Sequence, residues 1–374
     1  MLPPPSSPAN PTTSIDPGDS AGRSASGPSA GLFADEAEAA LSYLNSGLQP
    51  IPLDGPKTKT ISRKGWPAER YTAADAAQFR GRNIGLLLGE PSGGPADVDQ
   101  DCPEAVRAAP YLLPRTDMVH GRPGAPSSHW WYSPVGEAKS LKLTDPTRAA
   151  DHSDGNVLVE LRVGPSKVTM VPPSVHPCGE LLAWSRFGRP AEVTAAELVM
   201  AVKSLAAATL LGRHLPRGQR HDAALALAGG LLRSWSGDFE RVKRFVRAVC
   251  AAADDEEVDD RLRAVDDTAA KPVGSPASGW PTLAKIVGDK IVTKVREWLG
   301  LTTDSGGVPA ATAASPPIPP AAPWPDPPAA DAFGGLAGDV VRAIDPTTEA
   351  DPAAVLFQFL VAFGSRIGRG PTSR

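Results

Sequence analysis

The spacing of apolar and polar residues changes character along the chain. Residues 33–46 repeat at helical spacing, with Phe33, Ala37, Ala40, Leu41, Tyr43 and Leu44 apolar and Gly47 as a stop. From 49 to 184 the pattern breaks into short apolar runs: QPIPL (49–53), NIGLLLG (83–89), WWY (130–132), NVLVELR (156–162), 167–171 and 181–184. Runs of this length bounded by Gly, Pro, Ser and Asp predict strands. Pro50 and Pro52 place the first of them at a sheet edge. Short helices are predicted at 72–79, where Thr72 and Asp75 form a capping-box-like start, and from Pro103 toward 113.

From 193 the period becomes helical, predicting helices over 193–211, 221–234, 238–253, 256–269 and 282–298. Asp238 is the expected N-cap of the third. Residues 333–344 and 352–367 are again apolar and helical. The expected fold class is therefore α+β, a strand-rich core followed by an α-helical bundle. The expected organisation is a disordered segment 1–32, a strand-rich domain 33–192, a helical domain 193–302, a Pro/Ala linker 303–330 and the start of a further helical region, 331–374.

Composition narrows the function classes. Pro 41 and Gly 36 gather at the N-terminus and near 304–330, marking linkers rather than folded elements. The net charge of −4 excludes a polycation, so a nucleic-acid contact would need a local basic patch. Cys102, Cys178 and Cys250 lie far apart, which speaks against a zinc ribbon or disulfide framework and points to a reducing cytoplasm. No run of about 18 apolar residues occurs, so no membrane partner is expected. No G-x-x-x-x-G-K-[ST] or G-x-S-x-G motif is present.

The chemistry concentrates in ADVDQD (96–101). Strand side chains alternate, so Asp97 and Asp99 converge, and a divalent cation would relieve their repulsion. Glu160, on an apolar strand, needs a cation or a hydrogen-bonding partner and offers a third carboxylate. Arg162 shares its face, either to pair with Glu160 or to meet phosphate. The loop before WWY delivers Ser127, Ser128 and His129, donors suited to a triphosphate. The loop 54–71 carries Lys59, either solvated or in contact with phosphates. Asp101 precedes Cys102–Pro103, which should end the strand, so it reads as a helix cap outside the site. His176, in PPSVHPCGE, reads as a residue that orders a turn.

The order NIGLLLG, ADVDQD, GRPGAPSSHWWY, LVELR and VPPSVHPCGE resembles the bifunctional primase–polymerase (prim-pol) domain of the archaeo-eukaryotic primase superfamily, found in phage, plasmid and integrated-element replication proteins. The resemblance spans 37–184. It implies an RRM-like catalytic core with a second small α/β unit, and Mg²⁺ or Mn²⁺ as cofactor. It places the family's acid pair on Asp97 and Asp99 and its serine–x–histidine on Ser127 and His129, with Ser128 an alternative serine. Its third acid, usually Asp, falls on Glu160. It further implies a single-stranded DNA template and nucleoside triphosphates as partners, with Lys59 and Arg162 among the nucleotide contacts. The helical segment 194–300 is similar to the bundle that follows such domains, and 324–367 resembles the start of a helicase-like ATPase region, as in a truncated or split form.

Two other readings stay open. One is a non-catalytic single-stranded DNA or origin-binding module that recruits a replicative helicase, motivated by the missing ATPase motifs and the substituted third acid. The other is a metal-dependent nuclease or nucleotidyltransferase of a different fold.

Overall fold

The computed structural model describes residues 32–148, 156–271, 278–301, 329–348 and 350–367. All but the last residue of the expected disordered segment 1–32, and most of the expected linker, fall outside them. Two compact units are present, 1–304 and 305–374.

The first unit is a mixed α/β structure with antiparallel sheets. It opens with α1 (Glu36–Asn45), capped by Asp35, whose Oδ1 accepts from the Glu38 amide at 2.8 Å. Strands β1 (Pro50–Pro52) and β2 (Ile84–Leu87) follow, then β3 (Ala96–Gln100) and helix α2 (Pro103–Leu112). The remaining strands are β4 (Val119–Arg122), β5 (Ala125–Val135), β6 (Leu141–Thr144), β7 (Val157–Arg162), β8 (Val168–Val171), β9 (Ala183–Arg186) and β10 (Ala191–Thr194). A small sheet has the order β1-β2-β8, with β1 at the edge its prolines demand. The large sheet runs β6-β7-β3-β5-β4-β9, and β10 joins the far end of β5 in parallel.

Helix α3 (Ala195–His214) leaves β10 through a capping box between Thr194 and Glu197. Then come α4 (Arg220–Ser234), α5 (Phe239–Ala252), α6 (Val258–Ala269), α7 (Trp280–Val287) and α8 (Asp289–Trp298). The single helix expected over 282–298 is two, broken at Gly288, whose φ of +100° suits glycine alone. Among the described residues α3 alone is long and apolar enough to cross a membrane, but it is mostly buried. It packs on α2, α5, α8 and β7, which cover most of its apolar length from Val202 to Leu211.

The change of pattern at 193 is not a change of core. One hydrophobic cluster runs from Ala96 and Val98 of β3 through Ala105 and Ala109 of α2, Leu205 of α3 and Phe245 of α5 to Trp298 of α8. A second cluster lies on the other face of β3. It joins Tyr43 of α1, Ile84 and Leu86 of β2, Val171 of β8, Trp131 and Trp184. Asp97 and Asp99 therefore lie on the face of β3 opposite Ala96 and Val98, beside the small sheet. The second unit holds α9 (Gly335–Ile344) and α10 (Pro352–Ile367), which pack on each other and leave Leu336, Phe357 and Leu360 exposed.

Candidate active site

Antiparallel pairing puts opposite residues on the same face. Glu160 of β7, Asp99 of β3, His129 of β5 and His120 of β4 are successive partners, forming one rung across four strands. The next rung is Arg162, Asp97 and Trp131. Sequence positions far apart thus meet through register alone. The strand at 125–135 starts earlier than the sequence pattern indicated, so His129 stands on the strand and not on the loop before it.

Asp97 is fully buried and held from three sides. His129 Nδ1 lies 3.0 Å from its Oδ2, Thr169 Oγ1 of β8 donates to the same oxygen at 2.8 Å, and Arg162 Nη1 is 3.8 Å away. Burial alone would raise its pKa, but the charges of His129 and Arg162 hold it below the usual carboxylate range. His129 Nε2 lies 3.6 Å from Asp99 Oδ1, so the ring bridges both aspartates. Burial opposes an imidazolium, yet Asp99 and Asp97 outweigh it and push the His129 pKa up to about 9. Asp99 is shifted upward by burial and by its neighbours Asp97 and Glu160.

Arg162 does not simply pair with Glu160. Its Nη2 donates to the Val168 carbonyl at 2.7 Å and its Nη1 to Thr169 Oγ1 at 3.2 Å. From that anchor it reaches Asp97 and Asp99, each at 3.8 Å, and Glu160 at 4.0 Å. Lys167 approaches the other side of Glu160 at 3.9 Å.

Asp101 belongs with these acids and is not a helix cap. The N-cap of α2 is Cys102, and the Asp101 amide still donates to Leu158 O of β7 at 3.1 Å. The ladder thus continues one residue beyond the strand, and the side chain keeps the orientation of Asp97 and Asp99. Desolvation, Asp99 and Glu160 push its pKa up to about 7. Among the described residues two groups could hold a metal ion, Asp97–Asp99–His129 and Asp99–Asp101–Glu160, with the ligand atoms of each within 4.8 Å of one another. Asp99 is common to both. The second group is all carboxylate, the donor set preferred by hard divalent cations.

A cleft of about 590 Å³ opens over this face. Asp99, Asp101, Ser128, His129, Arg162 and Lys59 line it, bringing together residues singled out from the sequence. Ser128 is buried there. Ser127 turns away: its φ is +53°, its Oγ meets Ser185 Oγ at 2.9 Å and its carbonyl accepts from Trp130 Nε1. Sequence reasoning missed His120, Thr169 and Arg122. The first two support the site from neighbouring strands, and Arg122 lines the cleft. Only the alternation in VHGR carried a trace of His120.

No protein-family model matches the chain, and no curated protein matches it.

Proposed function

We propose that the chain is a template-dependent primase–polymerase of the prim-pol type, an enzyme that joins nucleotides from nucleoside triphosphates with Mg²⁺ or Mn²⁺. The observation that carries this reading is the rung Glu160–Asp99–His129, in which Asp99 and His129 line one cleft and Glu160 stands beside Asp99 on the next strand. The two antiparallel sheets sharing that cleft agree with an RRM-like core and a second small unit.

The donor set fits a divalent cation. Asp97, Asp99, Asp101 and Glu160 bring four carboxylates against the cations His129, Arg162 and Lys167, and Asp99 and Asp101 are pushed toward protonation by burial and then by this crowding. The all-carboxylate group Asp99, Asp101 and Glu160 would hold the metal, with Asp97 and His129 grouped on the other side of Asp99. When bound, such ions activate a 3′-hydroxyl and stabilise a leaving pyrophosphate. The protein's own groups orient and neutralise. Thr169 and His129 fix Asp97, and Arg162 is locked to β8, so the carboxylates are aimed before substrate arrives. His129 and Ser128 face the cleft as donors for phosphate oxygens.

The test is incorporation of labelled nucleotides on single-stranded DNA with Mn²⁺ or Mg²⁺. Product that requires both template and metal supports the reading. Degradation of the template without pyrophosphate release points to a nuclease instead. One observation favours a second reading: His129 and Arg162 already neutralise the acids without any metal. A non-catalytic single-stranded DNA-binding module that recruits a helicase would show salt-sensitive binding unchanged by EDTA, and no product.

A further inference from the structure

The motif at 172–180 plays no part in the acid cluster, yet its histidine lines the same cleft. His176 sits in a tight turn. Its amide donates to the Glu180 carbonyl at 2.8 Å, and its own carbonyl accepts from the Gly179 amide at 2.8 Å. The Cys178 amide donates to His176 Nδ1 at 3.2 Å, and the Cys178 thiol lies 2.9 Å from the same nitrogen. Nδ1 is therefore an acceptor, and the ring carries its proton on Nε2. Burial and the nearby charges of Lys59 and Arg122 lower its pKa to about 4, so it stays neutral at ordinary pH. Lys59 and Arg122 line the cleft beside it. Arg122 is ion-paired with Glu180, the residue that closes the His176 turn.

We propose that His176, Lys59 and Arg122 form a polyphosphate-binding wall that holds the distal phosphates of a nucleoside triphosphate. The proposal rests on the nucleotidyl-transfer reading above. Two cations and one tautomer-fixed N–H suit a ligand that is only acceptor and strongly anionic. A base or a sugar presents donors as well, and the one carboxylate at this wall, Glu180, is committed to Arg122. The turn that orders the histidine thus also fixes which nitrogen it offers.

The experiment is equilibrium binding to the full chain of the four deoxyribonucleoside triphosphates and the matching monophosphates, in Mn²⁺ without template. His176→Ala is expected to weaken triphosphate binding about tenfold, the loss of one hydrogen bond to a charged acceptor, and to leave monophosphate binding unchanged. His176→Gln, which restores an N–H near the Nε2 position, is expected to recover most of the loss, and this rescue separates a contact from a folding defect. Triphosphate binding by His176→Ala equal to wild type, or equal losses for mono- and triphosphate, would overturn the proposal. Wild-type binding that is absent, or indifferent to Mn²⁺ and to Asp99→Asn, would overturn the nucleotidyl-transfer reading and the wall with it.

Discussion

The ring of His120 lies flat against that of His129, with centroids 4.5 Å apart and planes 7° from parallel. The two rings are not equivalent. Trp131 Nε1 donates to His120 Nδ1 at 3.1 Å, so His120 Nε2 carries the proton and donates to the Met170 carbonyl at 3.0 Å. Burial and the charge of His129 keep His120 neutral, its pKa well below the ordinary value. His129, between Asp97 and Asp99, carries the charge. A neutral ring thus backs a cationic one and holds it in the plane that faces both aspartates.

This arrangement predicts that His129 titrates well above the ordinary histidine value. In NMR titrations, His129 should show a midpoint near 9, against an ordinary value of 6.5. Asp97→Asn should move that midpoint down. Because the folded pKa is raised, the His129 contribution to stability is full below about 6.5 and is lost as pH rises through about 9. A midpoint at or below the ordinary value would show that the aspartates do not hold the ring as an imidazolium.

A second pH effect lies away from the cleft. Asp145, fully buried after β6, accepts from Thr147 Oγ1 at 2.6 Å, from His214 Nε2 at 2.8 Å and lies 3.4 Å from Arg213 Nη1. Burial works against its charge, but these bonds hold its pKa down to about 2. Its stabilisation is present above the unfolded value of 3.8 and is lost as pH falls through about 2. Asp145→Asn should cost about 2 kcal/mol at neutral pH. In thermal unfolding, the gap from wild type should close toward pH 2; a constant gap would mean that packing, not charge, is lost.

The shared core makes its own prediction. A Cβ at Gly212 of α3 would sit 2.3 Å from Ala252 Cβ and 2.8 Å from the Ala253 amide nitrogen of the α5 end. Gly212→Ala should therefore destabilise by about 1–3 kcal/mol, despite the better helix former. Because α3, α5 and the sheet share one core, the expected change is a shift of one cooperative transition of unit 1–304 in calorimetry. Separate melting of helices and sheet would contradict the single core.

Asp101→Asn tests the outer edge of the acid cluster. Removing one carboxylate from the Asp99–Asp101–Glu160 group should weaken Mn²⁺ binding by roughly tenfold, measured by titration calorimetry. Unchanged binding would place Asp101 outside the metal site.

Much of this site was legible in the sequence because strand alternation is a local rule. D-x-D and L-V-E-L-R could each be placed on a face without knowing the fold, whereas His129 read as the end of a loop and not as part of β5. The rung that joins them depends on register, which no local pattern gives. Asp101 was misread because Cys102–Pro103 does end the strand, while a single further ladder bond to Leu158 keeps the side chain in line. Ser127 takes a positive φ and does not line the cleft, a placement that residue type and spacing do not disclose. His120 and Thr169 act through contacts between residues far apart in sequence, 9 positions for the His120–His129 stack and 72 for Thr169–Asp97. The helices were visible as periodicity, but their union with the sheet was not, since a helix period says which face is apolar and not what covers it.

The most direct measurement is template-dependent primer synthesis by wild type and Asp99→Asn side by side, each first shown to be folded. Asp99 is the residue shared by both candidate metal groups and sits between Glu160 and His129. The account predicts product from wild type in Mn²⁺ or Mg²⁺ and a loss of more than about 100-fold in the variant. Equal product from both, or none from wild type with template, triphosphates and metal all supplied, would contradict it.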